Sequence, residues 1–156
     1  MPGTLSRRVV VLALPVGLAL GLAWMRPALA QAHSLFTDNG LALRGFDPVA
    51  YFTEGRPLRG DPAHAADWGG GTWHFANAAN RAAFLAAPER FAPQYGGYCA
   101  WAVAQGYTAP IDPAAWRIVD GRLYLNANRS VQRRWERDIP GFITRADANW
   151  PGLRGR

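Results

Sequence analysis

The side chains able to do more than pack or meet solvent are few: one cysteine, Cys99, and three histidines, His33, His64 and His74. A thiolate and an imidazole together suit Cu(I), and imidazole alone suits copper or zinc. The same pair can also act as nucleophile and base. A single Cys excludes an internal disulfide framework and any zinc cage built from Cys alone. All 17 basic residues are Arg, so no lysine is present for Schiff-base chemistry or a phosphate-binding P-loop. The patterns GxGxxG, GxSxG and HExxH are missing as well. Asp47, Asp112 and Asp120 each stand beside Pro or Gly, which reads as turn chemistry and not as an acid–base pair.

His74 lies between Trp73 and Phe75 in a β-branched and aromatic stretch, Thr72 to Phe75, that reads as a strand. Alternation along a strand puts its imidazole opposite both aromatics, so His74 points away from the core if they point in. Cys99 follows Gly96-Gly97-Tyr98 in a helix-like segment from Tyr98 to Gln105. Two readings stand for this pair. Cys99 and His74 meet and hold a soft metal, or His74 is a surface residue and Cys99 a buried, inert thiol. His33 adds a separate candidate. Cleavage after Ala30 would leave Gln31-Ala32-His33, whose amine, two amides and imidazole form a square-planar site for Cu(II) or Ni(II). Cleavage after Ala32 would make His33 itself terminal and still chelating; the other reading is that His33 is incidental. His64 sits in residues 55–71, rich in Gly, Pro, Asp and Ala, and reads as a surface residue of a loop. The metal candidates are therefore Cys99, His74 and His33, with copper ahead of zinc.

The elements that must position these residues read as one small α+β domain over residues 41–150, with short strands and a hairpin packed against several short helices. Leu41 to Phe52 contains two strand-like stretches interrupted at Gly45 and Asp47-Pro48. Asn77 is placed to cap a helix over 78–87, and Pro88 to restart a short turn through Phe91. Trp116 to Val119, Asp120-Gly121 and Arg122 to Leu125 read as a β-hairpin. Asn128 caps the next helix, where Val131, Trp135 and Ile139 fall four apart, and Pro140-Gly141 starts a last helix to about Asn149. Residues 31–40 read as a flexible N-terminus and 151–156 as a tail. Six of the seven Trp lie beyond residue 30, enough aromatic area for a core without a staple.

The start of the chain reads as an address. Ser6-Arg7-Arg8 precedes 16 apolar residues, Val9 to Trp24, and then Ala28-Leu29-Ala30. A basic start, a short apolar run and an A-x-A site describe a cleavable signal peptide over residues 1–30. A confident membrane span needs about 18–20 residues. The alternative is an uncleaved anchor. The paired arginines resemble a twin-arginine export signal, with the general secretion route as the alternative and the periplasm as the destination of either. Removing residues 1–30 takes away Arg7, Arg8 and Arg26 and no acid, so the formal charge falls from +6 to +3. Arg129, Arg133, Arg134 and Arg137 are interspersed with Glu136 and Asp138, which describes a solvated helix face. No nucleic-acid partner is expected, and no membrane partner once the signal is cleaved.

The ordered set Asp47-Pro48-Val49-Ala50-Tyr51-Phe52, Trp73-His74-Phe75-Ala76-Asn77, Asn80-Arg81 with Phe84, and Pro88-Glu89-Arg90-Phe91 resembles the YHS domain over residues 41–95. With Tyr95-Gly96-Gly97-Tyr98-Cys99-Ala100, Gly106-Tyr107, Pro110-Ile111-Asp112-Pro113 and the hairpin, the chain looks like an exported single-domain bacterial member. The resemblance implies metal binding linked to copper or zinc handling. In metal-binding members Cys stands after the DPV, after the strand aromatic, and four residues later. Those positions hold Ala50, Ala76 and Asn80 here, so the resemblance transfers the fold and not that thiolate site.

Three functions follow as expectations. The first is an exported accessory protein that binds or hands on metal, copper before zinc, with a metal ion or a periplasmic protein as partner. The second is a module for a small molecule or a partner peptide, using the glycines at 69–71, Gly96-Gly97-Tyr98 and the aromatics. The third is a Cys99-dependent enzyme, for which no orienting group or oxyanion motif is specified.

Overall fold

The computed structural model describes residues 35–154. The leader expected over 1–30 and the candidate His33 lie outside the described residues. The described chain is α+β, as expected.

In chain order the elements are β1 (Thr37–Asp38), β2 (Leu41–Ala42), α1 (Ala50–Thr53), β3 (Asp61–Trp68), β4 (Gly71–Phe75), α2 (Ala78–Ala86), α3 (Pro88–Phe91), α4 (Ala100–Ala104), β5 (Asp112–Val119), β6 (Arg122–Asn126), α5 (Arg129–Trp135) and α6 (Ile139–Leu153). The first four strands form one sheet in the order β1-β2-β4-β3, with β2 parallel to β4 and the other pairs antiparallel. β5 and β6 form a separate antiparallel hairpin.

Two tight turns build the first sheet. Asn39 (φ 50) and Gly40 (φ 81) join β1 to β2, and Gly69 (φ 63) and Gly70 (φ 90) join β3 to β4. Positive φ at both central residues matches the twist of paired strands, and Asn-Gly and Gly-Gly adopt it readily. The described part of the segment expected as a flexible start is therefore sheet from Thr37, and the Phe36 N–H donates to the Gly96 carbonyl at 2.9 Å. The loop expected over 55–71 likewise contains β3. Its Pro62 is tolerated because β3 ends the strand order and needs partners on one side only, and the register shifts between Asp61 and Ala65.

The second strand-like stretch before Phe52 is instead a helical turn. The Asp47 carboxylate accepts from the Val49 N–H at 2.8 Å and starts α1 where a strand was expected. The caps read from sequence are present: Asn77 accepts from the Asn80 N–H at 2.8 Å, and Asn128 from the Val131 N–H at 2.9 Å. The hairpin turns at Asp120 (φ 50) and Gly121 (φ 73). α6 runs beyond Asn149 through Pro151 to Leu153, into residues expected as tail.

The core has two parts. Trp73 and Phe75 of β4 meet Phe84 of α2, with Tyr51, Cys99, Ile111, Leu123 and Leu125 around them. Trp135 of α5 fills the second part with Tyr95, Tyr124, Val103 and Ala146. Full burial of one such aromatic side chain stabilises by about 1.5–3 kcal/mol, so these side chains dominate the packing.

Candidate functional site

The positions where the family resemblance places thiolates gather around one carboxylate. Asp47 is 0% exposed. Its Oδ1 accepts from the backbone N–H of Val49 at 2.8 Å and of Ala50 at 3.4 Å. Its Oδ2 accepts from the Ala76 N–H at 2.8 Å and from the Asn80 Nδ2 at 2.7 Å. Facing a carboxylate, the Asn80 amide presents its NH2 group, a donor with no lone pair for a metal. Two methyl groups and a donor thus stand where three sulfurs would be needed. The site does not fit a metal ion; it fits a buried anion satisfied by hydrogen bonds. Asp47 was read from sequence as turn chemistry. Its bond to Val49 is that chemistry, whereas its reach to Ala76 and Asn80 crosses 29 and 33 residues.

Cys99 is buried in the first core part, on the side to which Trp73 and Phe75 point. Its Sγ donates to the Asn126 Oδ1 at 3.7 Å. Burial pushes the thiol above its ordinary value, partly offset by backbone hydrogen bonds at Ala102, Ala127 and Trp101. Such a thiol is neither a ready nucleophile nor a ready ligand.

His74 lies on the opposite face of β4. It packs behind the turn at Gly45, where an added methyl group would stand 3.6 Å from its Nδ1. Gly60, hydrogen-bonded to Gly45, packs against the His74 main chain at its carbonyl. The strand thus places Cys99 and His74 on opposite faces, with no contact that would make them a ligand pair or a catalytic pair. His64 is half-buried on β3. Among the described residues, no three of His, Cys, Asp and Glu converge on a point where a metal could sit.

A different feature emerges beside Gly45. Leu43 (φ 51), Arg44 (φ 53) and Gly45 (φ 78) all lie in the left-handed region. Two consecutive non-glycine residues there cost about 1–2 kcal/mol each and turn the chain sharply. The following residues run beside 58–60: Gly60 N–H donates to Gly45 at 2.9 Å, and Asp47 N–H to Leu58 at 2.8 Å. Phe46 and Arg59 therefore stand directly opposite in an antiparallel bridge. Side chains of such a pair share a face. The Arg59 guanidinium accordingly lies 4.8 Å over the Phe46 ring.

These residues wall a cleft of about 430 Å³ with Asp38, Asn39, Leu41, Arg44 and Pro113. The Tyr51 hydroxyl fixes the far wall by donating to the Pro113 carbonyl at 2.8 Å. Burial, then Asp112 and Asp47, push the Tyr51 phenol far above its ordinary value, so it remains a donor. At the rim the Arg44 Nε lies 3.5 Å from the Asp38 carboxylate, in a half-exposed pair. Neither arginine was a sequence candidate, because Arg on a surface is the commonest of observations. The sequence signals that could have marked a shaped surface there are Asn39-Gly40, a pair suited to a tight turn but read as part of a flexible start, and the glycine at 45. Set against protein-family models, curated proteins and solved structures, the chain finds no match in any of the three.

Proposed function

We propose that this chain is an exported, non-catalytic accessory protein on a YHS-like scaffold, and that it binds a small molecule in the cleft between the Gly45 turn and Pro113. The observation that supports the reading is the cleft itself. Its volume of about 430 Å³ lies in the range of small-ligand sites, about 300–1,000 Å³. Its walls are apolar at Leu41, Phe46 and Pro113, with polar groups at the rim. Export rests on the leader-like residues 1–30, and the scaffold on the ordered motifs from Asp47 to Phe91. No described helix is long and apolar enough to cross a membrane.

Amide chemical shifts during a screen of small fragments test the reading. Perturbations confined to Leu41–Phe46, Arg59 and Ala114, the first amide after Pro113, are expected. A screen that moves none of these resonances refutes ligand binding at the cleft. Copper handling remains a second proposal, and rests on Gln31-Ala32-His33. It calls for a visible Cu(II) band on the processed protein that His33→Ala abolishes. A pyroglutamate at Gln31 would remove the amine and refute it for cleavage after Ala30.

A further inference from the structure

Resting on that reading of the cleft, we infer that its ligand is a small organic anion, with a carboxylate or phosphate group for Arg59 and Arg44 and an apolar body for Leu41 and Pro113. The two arginines are in different electrostatic states. Among the described residues Arg59 has no carboxylate within salt-bridge distance and no side-chain hydrogen bond. Its guanidinium is held over Phe46, so the ring takes one flat face and the N–H groups of the planar fork stay available. A fork of this kind matches a carboxylate or phosphate in two parallel hydrogen bonds. Phe46 is fixed in turn by the bridge to Arg59, so the cation is positioned by main chain and ring together.

Arg44 is committed, but weakly. Its contact with Asp38 is 3.5 Å long, through Nε, with both side chains close to half-exposed. Exposed pairs of this kind contribute about 0–1 kcal/mol. An incoming anion can therefore recruit Arg44 at small cost, while the Asp38 carboxylate opposes it by charge and by competition. Leu41 and Pro113 offer apolar wall to the rest of the ligand.

Benzoate, phenyl phosphate and the neutral benzamide, titrated separately into the purified protein with amide shifts as readout, test the inference. Binding of benzoate or phenyl phosphate, with benzamide much weaker, is the expected result. Which anion binds more tightly identifies the group the ligand carries. Arg59→Gln, at an exposed position, should weaken the anion about tenfold, the usual scale for losing a hydrogen bond to a charged partner. Asp38→Asn should tighten it, an effect of opposite sign that an apolar cleft would not show. Benzamide binding as well as benzoate, or an Arg59→Gln protein with unchanged affinity, overturns the anion inference and leaves the cleft as a neutral-ligand site. If none of the three probes shifts the cleft while other fragments do, only the anion inference falls. If no fragment does, both fall.

Discussion

Replacing Asp47 with Ala should be among the most destabilising single changes available in this fold. The carboxylate is 0% exposed and accepts four hydrogen bonds, three of them at 2.7–2.8 Å. Bonds to a charged acceptor contribute about 1.5–3 kcal/mol each, and a buried donor left alone costs about 1–3 kcal/mol. These terms do not add fully, because taking the carboxylate out of water was itself costly and because water can reach the half-buried Ala76 and Asn80 once the site opens. A loss of about 4 kcal/mol follows, within the range for removing one partner from a buried charged network. With urea slopes of about 1–3 kcal/mol per molar, the midpoint should fall by about 2 M. Asp47→Asn should lose about half as much. Whichever way its amide turns, one NH2 group faces donors. Asn80→Ala removes a single 2.7 Å bond and should cost about 2 kcal/mol. Paired with Asp47→Ala in a double-mutant cycle, it should show a coupling of about 1–3 kcal/mol. Losses below about 1 kcal/mol for both Asp47 variants, or a coupling near zero, would refute the view that this carboxylate ties α1 to the end of β4.

Further predictions concern the family positions, the packing and the titrating groups. Joint replacement Ala50→Cys, Ala76→Cys and Asn80→Cys should create one zinc site per chain, read by a zinc-competition dye; no binding would count against the YHS resemblance. Gly60→Ala should cost about 1–3 kcal/mol in chemical denaturation, because the new methyl group meets the His74 carbonyl, which is main chain and cannot turn aside. Native Cys99 should resist iodoacetamide at pH 8 and react rapidly in urea; fast native alkylation would contradict its burial. Stability should fall as pH rises above about 9. Burial first of all holds the Cys99 thiol and the Tyr51, Tyr95 and Tyr124 phenols above their ordinary values of 9.0 and 10.0, so the unfolded chain releases these protons first. Below pH 9 that contribution is complete, and a stability curve flat to pH 11 would contradict it.

Local chemistry explains which parts of the fold were legible. The caps at Asn77 and Asn128 and the turn at Asp120-Gly121 act within two or three residues, and each stands where the sequence places it. Asn39-Gly40 and Gly69-Gly70 carry the same turn chemistry, yet were read as a flexible start and a loop. Their strands are two residues long in β1 and β2, and β3 is rich in Ala and Asp, so no apolar alternation flanks the turns. The strand expected up to Phe52 failed for a related reason, since Val49, Tyr51 and Phe52 suit a strand until Asp47 caps them into a helix. The alternation of Trp73, His74 and Phe75 was legible, and it already implied that His74 faces away from the core. What lies across that core was not legible, so Cys99 remained a candidate partner. The cleft was least accessible of all. Arg59 meets Phe46 only because main chain at 45–47 runs beside 58–60, and nothing in either stretch announces the other.

The sheet's two outer margins have a bearing on how such a chain behaves in company. A strand with one unpaired side is a template on which a second copy can add, and growth of that kind ends in insoluble β-stacks. One margin here is β1, two residues long and too short to hold a visitor. The other is β3, eight residues long and the real hazard. Pro62 removes one donor from it, the irregularity between Asp61 and Ala65 bends it, and exposed Asp61 and Asp67 place like charges against each other in a parallel in-register copy or an antiparallel one centred on His64. The residues that made this stretch look like a loop are thus the ones that keep a long open margin from recruiting its neighbours.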